Sequence, residues 1–562
     1  MIGTLNTENK LSNLLSNIHD AGYSVGLEQF LKDNLEYEYR FKKMEGSIAF
    51  RLNNEYNSRC LVINSDLGNI PENLSQTFDE VYSLETDNEK SLIQKLRFEG
   101  NKIHNIKLVK SEDQSLPFPD KHFDLVVLNG IKIKNQNNHF ESELNDYLKE
   151  IKRVLTKNGC LCAGVHNKRG LKIFEREIGD DKNKKNFLSS FDGYKAIFNS
   201  LGFQVKSYWV LPSHEKPHYS GNIEDDVSLT WFFQNFDKKF SVDKKFSVVG
   251  KFLKTLNPKT RRLLVKQFSP SFLFYCYSDK IPENLEDVIV KNTGLKSLIQ
   301  NIRHSKIMYI LLDKFGEPKK ILFCKLDKYD LKENIFPIKR IFPDMQDPDE
   351  KITIENWMSG EILDPLNNND VYLTMDWLTN FQNNTMSELL SPEEIEEETN
   401  RLKHDLSEID AMKSLPYEKW IEEYKQHINS IKIRKTAVHG DFQVRNILVD
   451  RQNSSVNVID WDWRFQEKGN PIYDFIWLST NIMMLPNNTV DEFQSNLIGN
   501  GKATNVIKII KETMKKHFQH DLDFIKLQRF MILRFITIKI KDGTLGYLLY
   551  IEILKILSES NT

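Results

Sequence analysis

The sequence predicts a doubly wound α/β sheet followed by an α+β fold of two lobes. Short apolar strands alternate with helix-like segments from about residue 58 to 215, which is typical of a parallel sheet between two helix layers. A strand–turn–strand pattern begins near residue 307, and polar residues at fixed spacing follow from residue 439. At 562 residues the chain is too long for one core, so two or three domains are expected.

The composition is that of a globular protein, with 40% hydrophobic and 28% charged residues. The net charge of −2 gives no general attraction for nucleic acid. Five scattered cysteines without a C-x-x-C pair indicate reduced thiols and a cytoplasmic location, not a disulfide framework or zinc site. The N-terminus has no signal-peptide pattern and no apolar run is long enough for a transmembrane segment, so neither is predicted.

Five apolar segments are the predicted parallel strands. They cover residues 60–63, 81–85, 106–109, 123–128 and 160–165. Residues 204–212 are a further predicted strand, and residues 271–277 are predicted to be the edge strand that closes the sheet. Ligands of such sheets bind at the carboxyl ends of the strands, which places Glu85 at the expected binding edge.

Three segments resemble the class I S-adenosylmethionine methyltransferase family. Residues 116–126 read L-P-F-P-D-K-H-F-D-L-V, close to the family's L-P-F-P-D-x-x-F-D-L-V. Residues 150–159, E-I-K-R-V-L-T-K-N-G, are similar to its E-h-x-R-V-L-K-P-G-G, and residues 201–203 look like its late A-G-F. The resemblance implies a Rossmann-like methyltransferase fold over residues 1–280, with its core at 58–215.

The resemblance also implies which residues would hold S-adenosylmethionine. Glu85 stands where the family's acidic residue binds the ribose hydroxyls. Glu112 or Asp113 stands where an acid lies near the adenine. Gly68 takes the third glycine position of the family's G-x-G-x-G loop.

The first two glycine positions of that loop are occupied by Asn64 and Asp66. An Asp would repel the carboxylate of the cofactor, and residues other than glycine tolerate positive φ poorly, although Asn and Asp do so best. Two alternatives follow. The domain is an active methyltransferase, or it is a scaffold or altered-ligand domain, since fold alone does not imply function.

A basic connector follows at residues 235–268. Residues 238–266 contain ten Lys and Arg side chains but one acid, Asp243, with apolar residues interleaved. One interpretation is a surface helix that contacts an anionic membrane or an anionic lipid-linked glycan. The other, which charge runs usually indicate, is a solvated connector.

Polar residues between positions 438 and 461 have the spacing of a phosphoryl-transfer site. Asn446 follows Asp441 by five positions, and Asp460 comes fourteen positions later. Transfer from Mg-ATP needs one carboxylate for the hydroxyl proton, and an amide and a second carboxylate for Mg²⁺. The first spacing equals that of the kinase catalytic loop. Asp441 is therefore the predicted catalytic residue, and Asn446 and Asp460 are the predicted metal ligands.

Here the loop reads H-G-D instead of H-R-D, and Asp460 lies in I-D-W instead of D-F-G. That variant, with G-N-P-I-Y-D-F at 469–475, resembles the aminoglycoside phosphotransferase and choline kinase family. The resemblance implies a bilobal protein-kinase-like fold over residues 281–562, with an N-lobe at 285–360 and a C-lobe at 361–562. His439, grouped with the catalytic residues, is expected to brace the loop, and Asp474 to hydrogen-bond it.

The N-lobe offers candidate nucleotide ligands. Residues 307–312 and 320–326 flank K-F-G-E-P, a hairpin pattern whose second strand contains Lys325. Kinases place a phosphate-binding lysine there, and the alternative is an edge-strand lysine that faces water. Residues 352–361 resemble the family's hinge, where backbone groups of Glu355, Asn356 and Trp357 would contact adenine.

Together the resemblances imply an ATP- and Mg²⁺-dependent phosphotransferase for a hydroxyl of a small molecule, sugar or glycan. The methyltransferase-like part would methylate the same product, or would be a non-catalytic scaffold in surface-polysaccharide assembly. Antibiotic modification is a further alternative. The five acids at 393–398 would then bind a cationic substrate, whereas charge runs more often form a solvated helix face.

Overall fold

The computed structural model comprises two compact units, Met1–Trp357 and Met358–Thr562. The residues it describes are 2–34, 37–41, 58–110, 115–131, 140–170, 189–215, 217–231, 256–283, 285–302, 306–325, 352–461, 465–485, 488–541 and 547–559. The domain boundary expected near residue 280 falls inside the first unit, because strands on both sides of it share one sheet. That boundary stays a prediction.

The first unit is built on one sheet of twelve described strands. They are β1 Arg59–Ile63, β2 Glu80–Leu84, β3 Ile106–Val109, β4 Phe123–Asn129, β5 Leu155–His166, β6 Gln204–Pro212, β7 Pro217–Asn222, β8 Ser271–Tyr277, β9 Ser297–Ile302, β10 Lys306–Leu312, β11 Pro318–Lys325 and β12 Ile352–Asn356. Their order is β12-β11-β10-β9-β7-β6-β8-β5-β4-β1-β2-β3.

The predicted doubly wound sheet is confirmed at one end of this order. Strands β3, β2, β1, β4 and β5 are parallel, and the order reverses between β1 and β4. The prediction that residues 271–277 form an edge strand was wrong. Strand β8 lies between β5 and β6 and is antiparallel to both. All seven of its residues are buried, as an interior strand requires and an edge strand does not.

Helices cover both faces of this sheet, and apolar clusters lie on either side of it. The helices with described bounds are α1 Ile2–Ala21, α2 Tyr23–Asp33, α3 Glu38–Phe41, α4 Asn69–Leu74, α5 Asn88–Gly100, α6 Phe140–Val154, α7 Phe191–Ser200, α8 Pro258–Phe268 and α9 Leu285–Thr293. Asp87 caps α5 by accepting the amides of Glu89 and Lys90. The buried Arg97 of α5 pairs with Glu72 of α4, which fixes the helix that follows β1.

The predicted hairpin is also confirmed, and it extends the same sheet. Strands β10 and β11 pair antiparallel, and β12 pairs with β11. Strand β9 joins this meander to β7, where Ser220 lies opposite Gln300. The two side chains are hydrogen-bonded at 3.1 Å, and Gln300 also donates to the Tyr309 hydroxyl. The junction is therefore a satisfied, buried polar contact.

The second unit contains two small sheets and a layer of helices around one apolar core. Its strands are β13 Glu361–Ile362, β14 Thr436–Val438, β15 Ile447–Asp450, β16 Ser455–Val458 and β17 Gln466–Gly469. Its helices are α10 Asn368–Asn384, α11 Pro392–Ser407, α12 Tyr417–Asn429, α13 Ile472–Met483, α14 Val490–Leu497, α15 Thr504–Phe518, α16 Phe524–Lys541 and α17 Tyr547–Glu559.

The basic connector predicted from the sequence is described only at its C-terminal end. Residues 238–255 of the basic connector lie outside the described residues. In its described end, α8, Arg262 contacts Glu224 and Asp226, so this cation is used within the first unit. Among the described helices, none is long and apolar enough to cross a bilayer.

Four of the five acids in α11 have partners within the second unit. The pairs are Glu394 with Lys435, Glu396 with Lys425, Glu397 with Arg401, and Glu398 with Arg534. Glu394 also closes a capping box with Ser391. These contacts favour a structural helix face over a rim that binds a cationic substrate.

Candidate active site

The predicted catalytic loop connects β14 to β15. Gly440 has a φ of 78° and so turns the chain directly before Asp441. Asp441 is 4% exposed, and its Oδ2 accepts hydrogen bonds from Gln443 Nε2 at 2.7 Å and Asn446 Nδ2 at 3.2 Å. Asn446 Nδ2 also donates to the Asp441 backbone oxygen at 2.9 Å. The structure thus places the predicted base and one predicted metal ligand side by side.

The orientation of the Asn446 amide has a chemical consequence. Its nitrogen is directed at Asp441, so its Oδ1 is directed away from that residue. Amide and carboxylate oxygens are the ligands that Mg²⁺ takes from proteins. Asn446 Oδ1 and the Asp460 carboxylate therefore supply a donor set that fits this ion.

Asp460 follows β16, and the residues before and after it are both hydrogen-bonded. The amide of Ile459 donates to the Asn446 backbone oxygen at 2.9 Å. Trp461 Nε1 donates to the Val458 backbone oxygen at 2.8 Å. Asp460 itself has a φ of 67°, a left-handed conformation that is uncommon outside glycine and concentrates at functional sites. Its position is thus tied to that of Asn446.

His439 is 1% exposed and uses both ring nitrogens within the protein. The Asp441 amide donates to Nδ1 at 3.2 Å, so Nε2 carries the proton and donates to the Ile459 oxygen at 3.0 Å. The ring also packs against Trp461, with centroids 4.5 Å apart. His439 therefore ties the catalytic loop to the segment that carries Asp460, and these contacts leave it a positioning role.

Asp474, in the first turn of α13, holds the same loop through its backbone amides. It is fully buried, and its two oxygens accept the amides of His439 at 2.8 Å and Gly440 at 3.0 Å. Burial raises the pKa of Asp474 to about 6, against the opposing effect of these two amides. The group is therefore charged at neutral pH.

The loop that follows β1 in the first unit has the backbone shape of a glycine-rich loop. Asn64, Asp66 and Gly68 have φ values of 57°, 53° and 87°. The positive φ that the family's glycines provide is thus present at all three positions, with Asn and Asp as the residues that tolerate it best after glycine.

The side chain of Asn64 bridges the crevice at the reversal of strand order. Its Nδ2 donates to the backbone oxygen of Gly130, which follows β4, at 2.8 Å. Asn129 Nδ2 donates back to the Asn64 oxygen at 3.2 Å. Open α/β sheets bind their ligands at this switch point between β1 and β4. Here the chain itself spans that position.

Glu85, the predicted ribose ligand, is 2% exposed and hydrogen-bonded to the backbone. Its Oε2 accepts the Asp66 amide at 2.9 Å, and its Oε1 accepts the amides of Thr86 and Asp87. The Asp66 carboxylate pairs with Lys90 Nζ at 2.5 Å. Burial lowers the pKa of Lys90, but Asp66 outweighs burial and the pKa ends above its ordinary range.

These residues do not fit S-adenosylmethionine in the observed arrangement. The ribose ligand is buried and engaged, and the crevice is bridged by Asn64. The Asp66–Lys90 pair does reduce the repulsion that Asp66 alone would exert on the cofactor's carboxylate. Glu112 and Asp113, the predicted adenine-side acids, lie outside the described residues.

Comparison with protein families finds a match in each of the two parts of the chain described above. Residues 66–163 match a family model described as a methyltransferase domain, and residues 377–501 match one described as a phosphotransferase enzyme family. The chain joins a methyltransferase-like domain to a phosphotransferase-like domain. No curated protein sequence matches it.

Solved structures similar to this chain include methyltransferases. The YcgJ protein of Bacillus subtilis is 15% identical, and the match covers 44% of this chain and 99% of that chain with a TM-score of 0.25. A possible histamine N-methyltransferase of Thermotoga maritima is 14% identical, with 45% and 98% covered and a TM-score of 0.27. The strand order, not these scores, carries the fold assignment.

The predicted nucleotide ligands Lys325, Glu355, Asn356 and Trp357 belong to the first unit. Lys325 ends β11, as expected, but its side chain and that of Glu355 lie outside the described residues. Asn356 is exposed at the end of β12, one of the two edge strands of the described sheet. The Trp357 amide donates to the Lys319 oxygen at 2.9 Å, so that amide is used within the sheet.

Several contacts of the phosphotransferase-like domain were not predicted from the sequence. Gln443 holds the Asp441 carboxylate, and its place inside the H-G-D-F-Q run was the available signal. Asn481 Oδ1 accepts the Val444 amide at 3.3 Å from the far end of α13, and no local pattern indicates that. The stacking of Trp377 on Phe442, with centroids 5.9 Å apart, likewise depends on the tertiary fold.

We expect Asn64→Gly to tighten the binding of S-adenosylmethionine by about tenfold or more, which is about 1.4 kcal/mol. Glycine removes the bridge to Gly130 and adopts the φ of 57° without strain. Equilibrium binding of radiolabelled cofactor to the full chain measures the change. Asn488→Gly is the matched control, because Asn488 also has a φ of 57° but lies in the second unit. Equal affinity in wild type and Asn64→Gly would contradict the blocking role of Asn64.

Proposed function

We propose that the protein is an ATP- and Mg²⁺-dependent phosphotransferase that phosphorylates a hydroxyl group of a small molecule, sugar or glycan. The observation that carries this proposal is the hydrogen-bonded loop in which Asn446 holds Asp441 and, through Ile459, the segment of Asp460. Phosphoryl transfer depends mainly on positioning and charge stabilisation, and a rigid set of two carboxylates and an amide provides both.

Each residue of the loop has a separate task in this proposal. Asp441 orients the acceptor hydroxyl and takes its proton, while Gln443 and Asn446 fix the direction of its carboxylate. Asn446 Oδ1 and Asp460 would hold Mg²⁺, which neutralises charge on the phosphates when bound. His439 keeps the two segments in register through its contacts with Asp441 and Ile459.

The remaining assignments rest on resemblance. Lys325 would contact the α- and β-phosphates, and backbone groups near Glu355 and Asn356 would contact adenine. The proposed reaction takes place in the cytoplasm, where ATP is present. Four of the five cysteines, Cys60, Cys160, Cys162 and Cys276, agree with a reducing compartment, because they are buried thiols.

We expect Mg-ATP to raise the unfolding temperature of the full chain and Asp460→Asn to remove that rise. A ligand at one hundred times its dissociation constant stabilises its binding state by about 2.7 kcal/mol. Calorimetry resolves the transitions, since two units can unfold separately. Asp521→Asn, whose side chain is 86% exposed, is the matched control. An unchanged transition with Mg-ATP in the wild type would refute nucleotide binding.

A second function is proposed for the methyltransferase-like domain. One candidate is methylation of the phosphorylated product, as in enzymes that cap surface polysaccharides. The other is a scaffold that places the phosphotransferase domain in a glycan-assembly complex, and the bridge from Asn64 to Gly130 favours it. Radiolabelled ATP offered with monosaccharides, glycan fragments and aminoglycosides identifies the acceptor class. Label in an aminoglycoside alone would favour the antibiotic-modifying alternative.

A further inference from the structure

His166, His214 and Glu215 lie together at one edge of the large sheet. His166 is the last residue of β5, and the other two follow closely after β6. Strands β5 and β6 point in the same direction, since both are antiparallel to β8. The cluster therefore lies at the carboxyl ends of these strands, the edge at which sheets of this kind bind their ligands.

The two imidazoles are oriented by a shared partner, Ser271, the first residue of β8. Ser271 Oγ lies 3.1 Å from His166 Nδ1 and 3.3 Å from His214 Nδ1. A hydroxyl oxygen has two lone pairs and can accept from both rings. With a proton on each Nδ1, each Nε2 carries a lone pair. This is the arrangement in which outer partners prepare histidines to bind a metal.

The Nε2 atoms are the ring nitrogens that remain for a ligand. His166 Nε2 is 3.9 Å from Glu215 Oε1. His214 is 7% exposed, and its buried Nε2 has no hydrogen-bond partner among the described residues. A buried polar atom that is left unpaired is destabilising, so a ligand for this nitrogen is expected. Gly164 keeps room for this ring, because a Cβ at that position would lie 2.5 Å from His214 Cδ2.

We propose that His166, His214 and Glu215 bind a divalent transition-metal ion in the methyltransferase-like domain. Their ligand atoms all lie within 4.8 Å of one another, whereas donors at about 2.0–2.1 Å from one ion are closer together. Binding therefore requires the three groups to move closer together, and the Glu215 side chain, at 37% exposure, is the most exposed of them.

The donor set decides which ion is bound. Two imidazoles and one carboxylate suit zinc and its first-row neighbours, whereas Mg²⁺ and Ca²⁺ prefer oxygen alone. Three protein ligands leave a coordination position for an oxygen of the domain's own ligand, as in catalytic zinc sites. Glu215 is also within electrostatic range of Asp66 in the loop after β1, which relates the ion to the expected binding edge. The inference is independent of phosphoryl transfer.

The test is Co²⁺ binding to the full chain after dialysis against a chelator, with excess Mg²⁺ present throughout. Visible absorption of Co²⁺ reports nitrogen ligands, and displacement by Zn²⁺ gives its affinity. We expect one Co²⁺ per chain with such a spectrum. Glu215→Gln should weaken binding by more than about 100-fold, and Ser271→Ala, an outer partner, by about 10- to 100-fold.

Two controls separate this site from other sources of binding. His104→Ala removes an exposed histidine elsewhere in the first unit and should leave the spectrum unchanged. Asp460→Asn alters the proposed Mg²⁺ site and should also leave it unchanged. His214→Gln provides a second ligand variant if Glu215→Gln does not fold. The proposal would be overturned if the wild type gave no nitrogen-type spectrum. It would also be overturned if both ligand variants bound Co²⁺ with the affinity of the wild type.

Discussion

We expect Asp441→Asn to lower the kcat of phosphoryl transfer by about 10²- to 10⁴-fold, the range typical of a lost general base. The substitution keeps the size of the side chain and an oxygen that accepts from Gln443 and Asn446. It removes the group that takes the hydroxyl proton. Because Asp441 is not one of the proposed metal ligands, the dissociation constant of Mg-ATP should change by no more than about twofold to threefold. Single-turnover rates and equilibrium nucleotide binding measure the two effects separately.

The comparison with Asp460→Asn makes this prediction specific. Asp460→Asn should weaken Mg-ATP binding as well as the rate, whereas Asp441→Asn should affect the rate alone. Asp521→Asn, on the exposed surface, should affect neither. If Asp441→Asn retains a kcat within about fivefold of the wild type, Asp441 is not the base. If it loses Mg-ATP binding instead, Asp441 belongs to the metal site.

The sequence predicted best those elements whose local residue pattern matches their environment in the fold. Strand β1 was predicted from four apolar residues because both of its faces are buried, and β6 was predicted with its observed bounds. The catalytic loop was predicted because Asp441 and Asn446 are five residues apart and contact each other within one turn. In both cases the informative pattern lies within a short stretch of sequence.

The errors and omissions occur where strands distant in sequence become neighbours. Strand β8 was predicted to be the edge strand that closes the sheet, but it pairs with both β5 and β6 and lies between them. The same insertion brings Ser271 against His166 and His214. No spacing rule relates His166, the pair His214 and Glu215, and Ser271, which come from three separate segments, so the cluster was not visible in the sequence.

The loop after β1 shows a different limit of prediction. The unusual residues Asn64 and Asp66 were recognised, and so was the positive φ that they must adopt. Their side-chain partners were not predictable, because Gly130, after β4, and Lys90, in α5, are distant from them in the sequence. Those partners change the interpretation, since one bridges the crevice and the other neutralises the Asp66 charge. Backbone shape was thus readable from residue type, but ligand fit was not.

Asp474→Ala is expected to destabilise the second unit by about 2–5 kcal/mol and to abolish most of the activity. The substitution leaves the buried amides of His439 and Gly440 without their acceptor, and each unsatisfied group costs about 1–3 kcal/mol. The loop that carries Asp441 begins at these amides, so its position is lost as well. Asp491→Ala, at the exposed start of α14, is the control. Denaturant unfolding and kcat report the two losses.

Asp474→Asn tests the same brace through its pH dependence. Burial raises the folded pKa to about 6, above the value of about 3.9 in an unfolded chain, so the folded state binds this proton more tightly. The stability contributed by the proton is therefore complete below about pH 4 and is lost as the pH rises through 6. Two pKa units correspond to at most about 3 kcal/mol. The unfolding free energy of the wild type, relative to that of Asp474→Asn, should fall by up to that amount between pH 4 and 7. The activity of the wild type should change in the opposite direction, because only the charged carboxylate accepts both amides with full strength. Its kcat should therefore decline below about pH 6. If Asp474→Asn shows the same acid decline as the wild type, another group causes it and the brace does not set the pH range of the enzyme.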